Sequence, residues 1–310
     1  MGDPESQEGH PDELNYLLSN SVHCAKFGGS FAPGARPEER VLPWYCRREY
    51  FVEGWDDPAI WRAALVEMVA TSMIVFISGQ ISATIMSYDS SQIGAYVGVS
   101  NIILLSVFIY ATSPASGGHM NPMITWATFW SGICPLSRGV LYILGQTLGS
   151  ALTGGLLRGV FGMDRSLKYH GGGCTFDPSV VSIGQVFLNE VYSSATLLFL
   201  SFGVGLDPRQ ALLFGPTLGP LFVGMSLGLV SFASSGVAPG YSGAGMNPAR
   251  CFAFAIARKD LEHNWIWWIG PAVGGLLQSL LYNLVPPFHA ERGEAKQPID
   301  DLPKLPVMQG

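Results

Sequence analysis

Six stretches of this chain are apolar for about 20 to 26 residues each, at roughly 60 to 85, 93 to 112, 138 to 161, 182 to 205, 212 to 233 and 264 to 285. An α-helix rising 1.5 Å per residue needs about 20 residues to cross the hydrocarbon of a bilayer. The runs therefore predict six crossings in one polytopic unit. Composition agrees: 13% of the residues are charged, where soluble domains carry about 25%, too few to cover an ordinary aqueous surface. Two further apolar stretches, near 122 to 130 and 248 to 257, are too short to cross and fit re-entrant half-helices. The expected fold is an all-α membrane protein of six transmembrane helices plus two re-entrant half-helices.

Several other classes fall away. A net charge of −6, from 17 Lys+Arg against 23 Asp+Glu, offers no basic surface for nucleic acid. Cys24, Cys46, Cys134, Cys174 and Cys251 show no CxxC spacing, so no metal site is expected. Gly171-Gly172-Gly173 precedes no Lys-Ser/Thr pair and no nucleophile–base set stands out, so neither an enzyme nor a cofactor is expected. Residues 1–58 and 286–310 read as polar tails around a membrane unit at 59–285. Early acids at Asp3, Glu5 and Glu8, with no basic n-region, argue against a cleaved signal peptide. Six crossings put both tails on one side. Eleven of the 17 Lys and Arg fall there, most of them in the tails, which predicts cytoplasmic termini. The stretch Trp44, Tyr45, Arg47, Arg48, Tyr50, Phe51, Trp55 mixes rings with cations and reads either as an interfacial segment or as a solvated linker.

The pattern also repeats. Glu67, Asn121 and Gln146 match Glu190, Asn247 and Pro271 at offsets of 123, 126 and 125 residues, while Thr71, Phe76 and Gly149 answer Ser194, Phe199 and Gly274. Three crossings per half reverse direction, so halves at about 59–162 and 182–285 must be inverted, with the functional centre where they meet at the midplane. Glu67 and Glu190 lie inside apolar runs, where an unsatisfied carboxylate costs about 2.5 to 3.5 kcal/mol. Two readings are open. Each accepts bonds from backbone N–H groups of the re-entrant loop in its own half, or the pair forms a proton relay. Duplication of the acid, with no Asp or Lys beside it, favours the first.

Asn before Pro opens a helix well, because Asn caps the free N–H groups and Pro takes the first position, where its missing N–H is not needed. Ser116-Gly117-Gly118-His119-Met120-Asn121-Pro122-Met123 and Ser242-Gly243-Ala244-Gly245-Met246-Asn247-Pro248-Ala249-Arg250 place such a start at matching points of the two halves. On these motifs the chain resembles, over roughly residues 59 to 285, the major intrinsic protein family of aquaporins and aquaglyceroporins. Asn121-Pro122-Met123 and Asn247-Pro248-Ala249 stand at its two Asn-Pro-Ala boxes and Arg250 at its arginine. Within the family it is similar to the X intrinsic proteins of plants and fungi, through Met123 at the variable third box position, Asn247 to Cys251, and the Gly171 to Cys174 element.

The resemblance implies a passive channel for water and small uncharged solutes, with one hourglass pore in each subunit of a homotetramer in the lipid bilayer of the plasma membrane. Two half-helix N-termini meeting at the midplane each bring about half a positive charge, which repels a hydronium but not a neutral solute. Asn121 and Asn247 would donate side-chain N–H groups to a passing oxygen. Family positions put the selectivity filter at Asn101, Ser235, Ala244 and Arg250, a small polar ring without the Phe and His of a strict water filter. Glycerol, urea or hydrogen peroxide are then implied beside water, although the long third loop can add residues to the ring. Cys251 and Ala255 pull the other way, standing where aquaglyceroporins carry Asp and Lys, as does the water-type pair Trp267-Trp268.

Other residues keep two readings. Arg250 guards the pore or snorkels to the interface. His119 bonds within its own loop or lines the inner pore with pH sensitivity. Cys174 and Cys251 fall on one side of the membrane, where they pair, oxidise or stay free thiols. Met123 is expected to act through packing, and Cys134 reads as a loop or helix-end residue. The rival classes are an inverted-repeat secondary transporter and a non-conducting adhesion or scaffold protein.

Overall fold

The computed structural model describes residues 44–90, 92–207 and 214–284. The parts of the two expected tails before 44 and beyond 284 lie outside the described residues. Nine α-helices are used below: α1 (Arg48–Val52), α2 (Pro58–Ser87), α3 (Ile93–Ser116), α4 (Pro122–Trp130), α5 (Leu136–Lys168), α6 (Ile183–Ser201), α7 (Gly215–Ser235), α8 (Pro248–Arg258) and α9 (Ile266–Leu284). The short pair α4 and α8 are the half-helices; α2, α3, α5, α6, α7 and α9 are the crossings. We call the side on which α2 begins the terminal face.

Local sequence explains where the helices start and stop. Asp57 caps α2 ahead of Pro58, and Ser182 with Gln185 closes a capping box at the head of α6. Gly162, at φ 71° and ψ 169°, breaks α5, which ends the crossing near where the apolar run ends and leaves a separate turn up to Lys168. Past Ser201, α6 continues as a π-helical turn, Phe202–Leu206.

Five of the crossings are long and apolar enough by themselves to traverse a bilayer. The sixth, α9, covers about 28 Å with its 19 residues but carries Gln278, Ser279 and Asn283. Gln278 and Ser279 are buried, Ser279 donating to Ala127 O at 3.0 Å, and the exposed Asn283 still reaches protein by donating to Trp130 O at 2.9 Å.

The helices pair as α2 with α5, α6 with α9 and α3 with α7. Close packing, not a hydrophobic drive between helices, holds such pairs in lipid, so small residues mark the contacts. A Cβ on Gly149 would lie 2.2 Å from Met68 O, and one on Gly274 would lie 2.5 Å from Val191 O. Met68 and Val191 are themselves repeat equivalents, so the inverted duplication is visible in the contacts as well as in the sequence.

The segment expected as an interfacial strip or solvated linker is neither along its whole length. Tyr50 is fully buried, and its hydroxyl lies 2.5 Å from Phe129 O and 2.6 Å from Cys134 O. Trp44 packs against Tyr50, Phe129 and Trp130 and donates to Asn283 Oδ1 at 3.1 Å. This aromatic floor lies under the C-terminus of α4. With Ser279 and Asn283 it satisfies carbonyls that the end of a helix leaves open.

Candidate functional site

The two re-entrant loops meet head to head. Asn121 and Asn247 each precede a proline and cap their own half-helix through the side-chain oxygen, accepting from Met123 N at 2.9 Å and from Arg250 N at 3.2 Å. The amide nitrogens cross over. Asn121 Nδ2 donates to Met246 O at 2.9 Å and Asn247 Nδ2 donates to Met120 O at 3.2 Å. Met120 and Met246 hold φ of 45° and 51°, a left-handed conformation rare for such residues, so the same backbone turn is built twice. One N–H of each amide is engaged in this cross-lock; the second is left for whatever occupies the space between.

Two buried carboxylates hold those turns. Glu67 accepts His119 N at 2.9 Å and Ser116 Oγ at 2.7 Å on one oxygen, and Met120 N at 2.6 Å and Gln146 Nε2 at 2.8 Å on the other. Glu190 accepts Gly245 N at 2.6 Å and Met246 N at 3.1 Å. Each acid thus bonds the re-entrant backbone of its own half. Pro271 replaces Gln146 in the second half, and Glu190 has correspondingly fewer side-chain donors. The far end of α8 is closed as α4 is, here by Arg158, whose guanidinium donates to Ile256 O and Ala257 O.

A cavity of about 610 Å³ runs past the crossed asparagines. Beyond them from the terminal face its wall carries Ser78, Asn101, Ser231, Ser235, Ala244 and Arg250; toward the terminal face it carries His119, Thr128, Arg138, Tyr110 and Pro216. Asn101, Ser235, Ala244 and Arg250 therefore border one space, and among the described residues no aromatic ring lines the cavity beside them. Asn101 donates to Ser231 Oγ at 2.9 Å, and Ser235 donates back to Ser231 O at 2.6 Å. Met123 and Ala249 are buried away from this wall, Met123 in an apolar cluster with Ile124, Leu197, Leu198 and Met246. His119 combines features of both its readings: it lines the cavity, and its Nδ1 lies 3.1 Å from Thr125 Oγ1.

Arg250 is clasped on several sides. Its Nε donates to Ser78 Oγ at 2.9 Å, its Nη1 lies 3.7 Å from Cys174 Sγ, and its guanidinium carbon stands 4.9 Å from the centre of the Phe254 ring. Cys174 and Cys251 are joined in a disulfide with Cα atoms 5.4 Å apart, which decides among the readings left open for them. The third loop is also stitched on by backbone: Phe176 bridges Tyr241, Ser242 N donates to Thr175 O at 3.0 Å, and Asp177 N donates to Gly240 O at 2.9 Å. The glycine run has a physical reason here. All three glycines hold positive φ, and a Cβ on Gly171 would lie 2.2 Å from Phe254 O, so only a residue without a side chain lets this loop settle onto α8.

Ser78, Ser231, Arg258 and Tyr50 were not singled out as site residues from sequence. None carries a local motif, and each acquires its place through a partner at least 79 residues away.

Comparison with known proteins agrees with this geometry. A family model described as Major intrinsic protein matches residues 54–282. The chain is 33% identical over 229 residues to "Probable aquaporin TIP4-1" of Oryza sativa subsp. japonica, covering 71% of this chain and 85% of the relative. It is 29% identical over 258 residues to "Probable aquaporin PIP2-7" of the same plant, covering 79% and 84%. A solved structure titled "X-ray structure of the aquaglyceroporin from Plasmodium falciparum" shares its fold with a TM-score of 0.59 at 20% identity, over 73% of this chain and 96% of that one. With the family model spanning both half-helices and reaching into all six crossings, the chain belongs to the major intrinsic protein family.

Proposed function

We propose that this chain is a passive transmembrane channel, not an enzyme, that conducts water and small uncharged solutes such as glycerol, urea or hydrogen peroxide while excluding protons and ions. The observation that carries the reading is the cross-lock of Asn121 and Asn247 in the wall of a cavity lined by both halves. The relatives' descriptions as aquaporins and an aquaglyceroporin support it.

The chemistry follows from the half-helices. Each N-terminus contributes about half a positive charge, and both point at one place. A hydronium entering there is repelled, whereas a neutral molecule is not. The second N–H of each asparagine amide donates to a passing water oxygen, so both lone pairs are engaged and the water's own hydrogens point away along the path. A continuous chain of waters able to relay a proton is broken at that point. Arg250 adds a fixed cation and further donors beyond it, and Asn101, Ser235 and Ala244 leave a small, polar surround that suits solutes larger than water. Glu67 and Glu190 act as supports for the loops. The active form is a homotetramer, a pathway per subunit, with the terminal face cytoplasmic and the protein in the plasma membrane.

Stopped-flow permeability of proteoliposomes tests this. Linear, unsaturated flux of water and at least one of glycerol, urea or peroxide, with low activation energy and no proton leak, is the expected result. Uphill solute accumulation driven by a proton gradient would make the chain a transporter instead. Arg250→Ala is expected to raise solute flux and admit protons; unchanged selectivity in that variant would remove Arg250 from the filter.

A further inference from the structure

Arg258 ends α8 two helical turns beyond Arg250, and nothing so far gives it a part in selection. It is more than nine-tenths buried. Its guanidinium donates to three backbone carbonyls of the third loop: His170 O at 3.3 Å, Gly173 O at 3.1 Å and Cys174 O at 3.2 Å, with Asp260 at 3.5 Å on its Nε. Those carbonyls belong to the segment that backs Arg250. A Cβ on Gly173 would lie 3.7 Å from Arg250 Nη2, and Cys174 Sγ is 3.7 Å from Nη1. The loop is thus gripped between two arginines of one half-helix and joined to it by the Cys174–Cys251 bond.

We infer that Arg258 is a positioning residue for selectivity: by holding residues 170–174 against α8 it fixes the loop that keeps the Arg250 guanidinium in the cavity wall. The inference rests on the channel reading above. Its physical basis is the guanidinium fork, which spreads several donors in a plane and can satisfy three carbonyls at once. An ammonium in its place keeps the charge but offers a point, so it cannot span the same acceptors. Released from the loop, the Arg250 side chain keeps Ser78 and the Phe254 ring and loses the backing of Gly173 and Cys174. It gains freedom to withdraw, and the cavity widens where Asn101 and Ser235 face it.

Two readouts on purified Arg258→Lys and Arg258→Met test this. The first is the ratio of glycerol to water permeability in proteoliposomes. It should rise about fivefold in Arg258→Met and by an intermediate amount in Arg258→Lys, since loss of one anchoring contact of this size corresponds to about 1 kcal/mol at 1.36 kcal/mol per tenfold. The second is the rate at which a phosphine reductant opens the Cys174–Cys251 bond, which should rise about tenfold in both variants because the loop shields it. In a Cys174→Ser, Cys251→Ser background, where the loop is already loosened, replacing Arg258 should change the ratio much less. An unchanged ratio in a folded, conducting Arg258→Met would overturn the inference, as would a Lys variant indistinguishable from wild type, which would mean charge alone matters. If wild type conducts neither solute, the channel reading fails; the reduction rate still decides whether Arg258 holds the loop.

Discussion

Replacing either buried glutamate by glutamine gives a sharp measure of how the re-entrant loops are held. In Glu190→Gln the shape is kept, but one oxygen becomes an NH2 group that must face either Gly245 N or Met246 N, both backbone donors that cannot turn. One buried N–H is left without an acceptor, at about 1 to 3 kcal/mol, and the surviving bond loses its charge assistance, at roughly 1 kcal/mol more. The expected loss is about 2 to 4 kcal/mol. Glu67 has twice as many donors around it, yet two of them adapt: the Ser116 hydroxyl rotates and the Gln146 amide flips. Only His119 N and Met120 N are fixed. Glu67→Gln should therefore cost about the same as Glu190→Gln. Equilibrium unfolding of the detergent-solubilised variants, followed by tryptophan fluorescence, measures both. A Glu67→Gln penalty near double that of Glu190→Gln would show that the number of bonds, not the number of immovable donors, sets the cost. A loss below about 0.5 kcal/mol in both would refute the supporting role itself, and loss of proton-driven solute uptake with stability intact would point to a relay.

Other outcomes follow from particular contacts. Gly274→Val puts a branched side chain 2.5 Å from Val191 O, so α6 and α9 must part; a sharp drop in the yield of folded protein by size-exclusion chromatography is expected, and near-normal yield would show that the contact yields easily. Tyr50→Phe removes the hydroxyl between Phe129 O and Cys134 O and should destabilise by about 1 to 2 kcal/mol in thermal unfolding, whereas no change would make the N-terminal segment a mere covering. His170, exposed in the third loop, has its pKa lowered from the ordinary 6.5, first by partial desolvation against the loop and then by the nearby Arg258 charge. The folded form then binds fewer protons than the unfolded one, so its contribution is complete above about pH 6.5 and is lost as pH falls toward the lowered value. Unfolding compared at pH 7.5 and 5 should show that loss, and His170→Asn should flatten it; an equal pH slope in the variant would assign the effect elsewhere.

Features that depend on local chemistry and on period are legible in the sequence. Apolar run length located the crossings to within a few residues, because the bilayer's thickness sets it. Asn121-Pro122 and Asn247-Pro248 marked both half-helix starts, because a cap and a first-turn proline are local requirements. The doubled landmarks implied inversion, because three crossings must reverse direction.

Which distant groups meet follows from packing across the bundle. The pairing of Cys174 with Cys251 spans 77 residues, and neither spacing nor motif carries that distance. Tyr50 belonged by composition to a polar tail, yet the open carbonyls at the end of α4 bring it into the fold. Apolar α9 carries Ser279 and Asn283, whose cost in lipid is reduced because the C-terminal carbonyls of α4 lie beside them. Ser78 and Arg258 look like any serine or arginine in a membrane protein until the third loop folds down onto α8 and closes around Arg250. Sequence dictates what each segment must satisfy; packing decides which partner satisfies it, and at this cavity those partners come from opposite ends of the chain.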